Sequence, residues 1–276
     1  KSVAGPNMDS GTAKFKPTNY LNQTGRVTGK FMSLQVRPAT KKEVNEYYVE
    51  GRERGAKVQE LFARIAPRYD LINDLQCLFL HRYWKGKVLE LSHFKAGERA
   101  LDVCCGTGDL AFGLAQEPGA VVGVDFTREM LMAGVSRRRS GKVQMIQADG
   151  LRLPFADGSF DVVTVGYGLR NLASAELGVK EFLRVLAPGG RLVVLEFGKP
   201  ENRLWRSFYF AYLRVAVPVF GKLFCGDAAA YGYILESLRR YPGQREVDRL
   251  IQREGGRESR VHNFFGGAMS INFARK

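Results

Sequence analysis

The chain has 276 residues, 45% hydrophobic and 25% charged, enough for one large α/β domain or two small ones and unlike a disordered or membrane-embedded chain. Its formal net charge of +14 calls for an acidic partner surface, either nucleic acid or anionic lipid. The four cysteines, Cys77, Cys104, Cys105 and Cys225, show neither CxxC nor metal-ligand spacing, which argues against a disulfide scaffold or a zinc site and for a reduced, cytoplasmic protein with no metal.

Residues 1–42 carry eight Lys/Arg against one acid, Asp9, with almost no apolar periodicity, so they read as a disordered basic tail; residues 43–276 form the domain. Half of the net charge therefore sits outside the folded part. MSLQV at Met32 reads as an alternative start, and no apolar run near Lys1 suggests a signal peptide. Apolar residues then recur at helical spacing over Val58, Leu61, Phe62 and Ile65, and again from Arg82 to Leu91.

From residue 100 the pattern changes. ALDVC (100–104), VVGVD (121–125), VQMIQA (143–148), FDVVTV (160–165) and RLVVLEF (191–197) are short runs rich in β-branched residues. Helix-length segments lie between most of them: Leu110–Gln116, Arg128–Arg137 and Ser174–Leu186. Buried runs alternating with helices predict a parallel, doubly wound sheet. Residues 198–257 read as a helical, aromatic insert, in which Pro218 ends any single helix at about Val217. FYFAYL, its best apolar run, lies between Arg206 and Arg214, far short of the ~20 residues of a membrane span. Two last strands meet at Gly266-Gly267, a hairpin signal.

The first strand runs into LDVCCGTGDL (101–110), which fits GxGxxA and so admits a nicotinamide-binding turn; no GK[ST] follows, so it is not a phosphate loop. Its acids argue against a dinucleotide. Asp102, four residues before Gly106, would repel a pyrophosphate but suits an ammonium group. Asp109 opens the next helix and satisfies its N-terminus. Asp125 ends the second strand, where a carboxylate accepts both ribose hydroxyls, and Asp149 follows the third, placed for an adenine amino group. Each acid alone could be a cap or a turn residue. Together, at the C-terminal ends of three consecutive strands, they predict S-adenosyl-L-methionine as cofactor. The fourth strand ends in GYGLRN (166–171) with no proline, unlike the [DNS]PP[YF] turn of enzymes that methylate nucleobase amines.

At this point the chain resembles the ubiquinone/menaquinone biosynthesis C-methyltransferases, from about Lys57 to Lys276. The matching stretches are APRYDLINDL and HRYW (66–84), LDVCCGTGDL, VDFTREML, LPFADGSFD, YGLRNL (167–172), RVLAPGGRLVVLEFGKP, GDAAAYGYILESLRRYPGQ (226–244) and HNFFGG. The chain departs from the family at Ile72, Gln76-Cys77, Cys104-Cys105, Ala187 and Gly198, none of them assigned to the cofactor. The resemblance implies a Rossmann-like, seven-stranded class I methyltransferase sheet of order 3-2-1-4-5-7-6, strand 7 antiparallel, with a helical N-terminal cover. It also implies methylation of a ring carbon of a polyprenylated hydroquinone, demethylmenaquinol or its ubiquinol-pathway equivalent. Another small-molecule or lipid C/O-methyltransferase is the alternative, and a nicotinamide oxidoreductase or an RNA-binding protein that uses Arg137-Arg138-Arg139 is further away.

Cofactor contacts are expected at Asp102, Gly106, Thr107, Gly108, Asp125, Asp149, Gly150 and Gly166. Arg170, expected to face the transferred methyl, and Asn171 are expected to stabilise a phenolate, with a structural salt bridge as the rival role for Arg170. His262, whose imidazole suits proton removal, is the expected proton acceptor. Tyr69, Asp227 and Tyr231 are expected at the substrate, and Asp70 and Asn73 in the cover. The expected partners are the quinol and the inner face of the membrane, met peripherally through Trp205, Phe208, Tyr209, Phe210 and Tyr212 beside Arg203, Arg206, Arg214 and Lys222. Nucleic acid is not expected as a partner, and a homodimer stays open.

Overall fold

Five strands and the helices between them arise from the alternation seen in the sequence. β1 (Arg99–Val103), β2 (Ala120–Asp125), β3 (Val143–Gln147), β4 (Phe160–Gly166) and β5 (Leu186–Phe197) pair in parallel, and β7 (Met269–Arg275) runs antiparallel to both β5 and β6 (Arg257–Phe264). The order is β3-β2-β1-β4-β5-β7-β6, as expected for a class I methyltransferase. The computed structural model describes residues 53–76, 80–136, 143–225 and 228–276, all within one compact unit, Lys41–Lys276. The expected basic tail, Cys77, Arg137–Arg139 and Asp227 lie outside the described residues.

Central strands are covered on both faces. Ala100, Leu101, Val103, Val162, Val163, Val165 and Leu192–Leu195 are fully buried, which is why these runs are continuously apolar. α6 (Ala175–Val185) shows the capping logic: Ser174 accepts the Leu177 N–H at 3.1 Å, and Val179, Phe182 and Leu183 turn inward. The chain then enters β5 directly at Leu186, and Pro188-Gly189-Gly190 form an irregular start to that strand, where the register with β4 shifts.

Among the described residues, α1 (Arg54–Ile65), α2 (Tyr69–Gln76) and α3 (Leu80–Ser92) precede the sheet. α4 (Asp109–Leu114) and α5 (Arg128–Val135) follow β1 and β2. The insert holds α7 (Arg203–Cys225), α8 (Ala228–Arg240) and α9 (Gln244–Arg253). One expectation fails here: α7 runs straight through Pro218. Proline removes one backbone N–H and crowds the preceding turn, a cost of about 3 kcal/mol, which a helix with four turns before it (203–217) and further turns after it absorbs.

Candidate functional site

Parallel strands deliver their loops to one edge, where a cavity of about 520 Å³ opens. Its walls include Gly106 after β1, Asp125 and Phe126 after β2, Asp149 and Gly150 after β3, Gly166 and Asn171 after β4, and Phe62 of α1. A narrower cavity adjoins it below the glycine loop, between Lys85, Asp102, Gly106, Thr107, Asp109 and Gly166. Tyr69, Cys104, Gly106, Gly166 and Tyr167 line both.

Two glycines make room at the loop. A Cβ on Gly106, where φ is +57°, would meet Met130 Cε at 3.1 Å, and one on Gly166 would meet Leu110 Cδ1 at 2.8 Å. Gly108 opens α4 with φ +88°. Thr107 is buried and donates its hydroxyl to Asp70 Oδ1 at 2.9 Å, so Asp70 ties the start of α2 to the glycine loop. Tyr69 packs edge-on against Phe62, and burial pushes its phenol up, which keeps it a neutral donor.

The acids are held by backbone. Asp125 accepts the Gly106 N–H and the Thr127 N–H, both at 2.8 Å, one on each oxygen; burial pushes its carboxyl up while these bonds oppose. Asp125 also lines the cavity. Asp149 is exposed at the rim and accepts the Leu151 N–H at 2.9 Å. Asp102 is buried, with Thr164 Oγ1 donating to Oδ1 at 2.8 Å and the Ala111 N–H to Oδ2 at 3.2 Å. Desolvation pushes the Asp102 carboxyl up to about 7, against the opposing effects of Thr164, Lys85 and the Ala111 N–H. Burial also pushes the Cys104 and Cys105 thiols well above their usual range, so neither is a ready nucleophile.

Arg170 is not where the sequence reading put it. Rather than facing the cavity, it is buried behind the wall, its Nε donating to Glu196 Oε1 at 2.9 Å, its N–H to Glu196 Oε2 at 3.2 Å, and its Nη1 to Ser237 Oγ at 2.9 Å and Asn171 Oδ1 at 3.1 Å. A buried carboxylate on β5 draws the guanidinium inward, and the Phe197 ring packs on it at 5.3 Å. Asn171 does line the cavity. Arg170 and the Tyr233 hydroxyl (3.2 Å) donate to its Oδ1, and its Nδ2 donates to the Tyr167 carbonyl at 3.0 Å, which fixes the amide's orientation.

His262 is also displaced. It sits on β6 opposite Ile271, with β7 and β5 between it and β4. At about 4.8 Å per strand, three steps put it on the order of 14 Å across the sheet from the cavity wall. Pairing of the closing hairpin with β5 carries it to the sheet edge. Tyr231 lies within α8, and its side chain is outside the described residues, as is all of Asp227.

Sequence reasoning missed Glu196, Tyr233 and Lys85. Glu196 left a signal, an acid inside the apolar run LVVLEF. Tyr233 left none, since its contact with Asn171 spans 62 residues.

The likeness to known proteins agrees with this geometry. Across residues 50–276 the chain matches the model of the ubiE/COQ5 methyltransferase family. It is 40% identical over 227 residues, 80% of this chain and 90% of the relative, to the ubiquinone/menaquinone biosynthesis C-methyltransferase UbiE of Azotobacter vinelandii. Among solved structures, a SAM-dependent methyltransferase from Thermotoga maritima superposes with a TM-score of 0.57 at 19% identity, covering 79% of this chain and 99% of that one. Another from Aquifex aeolicus gives 0.52 at 19% identity, over 80% and 97%. These two are alike in fold alone; the sequence match over almost the whole folded chain goes further, and by it the chain belongs to the ubiE/COQ5 methyltransferase family.

Proposed function

We propose that this chain is an S-adenosylmethionine-dependent C-methyltransferase that methylates a ring carbon of a polyprenylated hydroquinone in respiratory quinone biosynthesis. The observation that carries the reading is a cavity of about 520 Å³ at the C-terminal ends of β1 to β4, walled by cradle glycines and strand-end acids, in a chain of this family. The residues fit the cofactor. Gly106, Thr107 and Gly108 would let its backbone approach, Asp125 would take the ribose hydroxyls, and Asp149 with Gly150 the adenine. Asp102 and Gly166 would border the amino-acid end. When bound, S-adenosylmethionine supplies a methyl group on a sulfonium, open to attack by an electron-rich carbon.

The chain's own residues must orient the ring, exclude water and favour phenolate over phenol. Val58, Phe62, Phe126, Met130 and Leu172 give the cavity an apolar lining. Asn171 presents an amide whose Oδ1 is already committed to two donors, so its free Nδ2 proton is the group left for a ring oxygen. Arg170 and Glu196 act as positioning residues for Asn171. Tyr69, kept protonated, is a second donor at the cavity. Methyl-labelled cofactor with a short-chain demethylmenaquinol, pre-reduced or oxidised, tests the reading. Label should enter the ring only with the reduced form; no transfer to either, by protein that binds S-adenosylhomocysteine, would refute it.

A polyprenyl tail resides in lipid, and no helix among the described residues is long and apolar enough to cross a membrane. The reading therefore includes peripheral docking of α7 on the anionic inner face. Tyr209 and Leu213 bury the inner side of α7, while Leu204 (84% exposed), Phe208 (64%), Tyr212, Val215 (65%) and Val219 form an outward stripe at helical spacing. Arg203, Arg206, Ser207 and Arg214 line a groove along it, and α7 has no acidic residue. Trp205 anchors the helix, its Nε1 donating to the Phe265 carbonyl at 2.9 Å. Apolar stripe and arginine groove together match an anionic lipid surface.

A further inference from the structure

The narrower cavity contains a group that the cofactor contacts expected from the sequence leave unused. Lys85 comes from α3, two elements away from the glycine loop, and only 14% of its side chain is exposed. Its ammonium donates to Asp109 Oδ2 at 2.6 Å and borders the same space as Asp102, Gly106 and Gly166. An ammonium has three protons, and the bond to Asp109 uses one. Holding a half-buried lysine there costs side-chain entropy and desolvation, more than one exposed acid partner repays. The space therefore has a cation on one side and a buried carboxylate on the other. That polarity complements a zwitterion, an α-ammonium beside an α-carboxylate.

We propose that Lys85 is a cofactor-binding residue that recognises the α-carboxylate of the amino-acid end of S-adenosylmethionine, opposite Asp102. The inference rests on the S-adenosylmethionine reading and deepens it. It also gives α3 a function: the N-terminal helices cover the cofactor and also read its charged end, so ligand binding would tighten the cover. Three observations join in it. The field of Lys85 reaches both Tyr69 and Asp102, opposing the upward push of burial on each. Lys85 belongs to the small cavity and is absent from the lining of the large one. Asp109 is 41% exposed, so it steers the lysine without neutralising it fully.

A binding cycle on the full-length chain tests this. Calorimetry would compare S-adenosylhomocysteine with its decarboxylated analogue, which keeps the adenosine and the ammonium and lacks only the carboxylate. Wild type should bind S-adenosylhomocysteine at least about tenfold more tightly than the analogue, the size of one charge-assisted bond. In Lys85→Met that gap should close, with analogue affinity nearly unchanged. Lys85→Gln, the variant to use if Lys85→Met melts early, should behave the same way. A gap as wide in the lysine variants as in wild type, or no gap in wild type, would overturn the proposal. Failure of wild type to bind S-adenosylhomocysteine at all would instead sink the cofactor reading itself.

Discussion

Cofactor affinity should rise with pH through neutrality, and Asp102 is the reason. Its carboxyl, 1% exposed, is pushed by burial to about 7, whereas an aspartate in the unfolded chain titrates near ~4. Only its ionised form can pair with the ammonium of the ligand. With a folded value of about 7, roughly a tenth is ionised at pH 6, half at pH 7 and nine-tenths at pH 8. The apparent Kd for S-adenosylhomocysteine should therefore weaken about tenfold from pH 8 to pH 6, and binding at pH 7 should release about half a proton. Calorimetry in two buffers of different ionisation enthalpy reads both quantities. Asp102→Asn keeps the volume and can still accept the Ala111 N–H and bond Thr164, so it should fold, bind more weakly and lose the pH slope. The stability sign is the opposite. A carboxyl raised on folding stabilises fully below the unfolded value, and that contribution is lost as pH rises toward 7. Unliganded wild type should thus lose up to a few kcal/mol between pH 4 and 7 through this residue, and Asp102→Asn should lose less. A flat affinity profile in wild type, or an equally steep one in Asp102→Asn, would refute the reasoning.

Glu196→Gln should lower stability by about 3 kcal/mol, because it strands the buried Arg170 guanidinium; at 2–4 °C per kcal/mol, thermal melts should fall by about 6–12 °C, and an unchanged melt would count against a structural ion pair. Asn171→Ala should reduce turnover at least about tenfold with S-adenosylhomocysteine affinity within about twofold of wild type, and a matching loss of affinity would move Asn171 from the substrate to the cofactor. Replacing Arg203, Arg206 and Arg214 together by glutamate should abolish binding to vesicles of anionic lipid and slow turnover of a long-tailed quinol, with a short-chain analogue unaffected. Sedimentation of wild type as a dimer through α7, with no vesicle binding, would make the stripe a contact between copies instead.

The central strands were legible in the chain because a parallel strand covered on both faces is predominantly apolar, so 100–104, 121–125 and 160–165 announce themselves without their partners, whereas 143–148 is the edge strand and leaves Gln144 and Gln147 exposed. The acids at the strand ends were legible too, since strand polarity alone sends Asp125 and Asp149 to the same edge of the sheet. Direction within a turn was not. GLRN places Arg170 and Asn171 side by side, and which of them faces the cavity depends on Glu196, twenty-six residues away, pulling the arginine inward. His262 looked available as a base because a lone histidine carries its chemistry in its side chain, but pairing of β6 at the outer edge of β7 sets its distance from the site. Pro218 shows the limit of local propensity, for α7 has turns enough on both sides to carry one missing bond. Lys85 shows it for electrostatics: an unremarkable cation in HRYWKGK becomes a site residue only when α3 packs beside the glycine loop and brings it to Asp109 and Asp102. Periodicity is a local property that each segment carries alone, whereas the partner of a charge is chosen by packing, and packing exists only once the whole chain has folded.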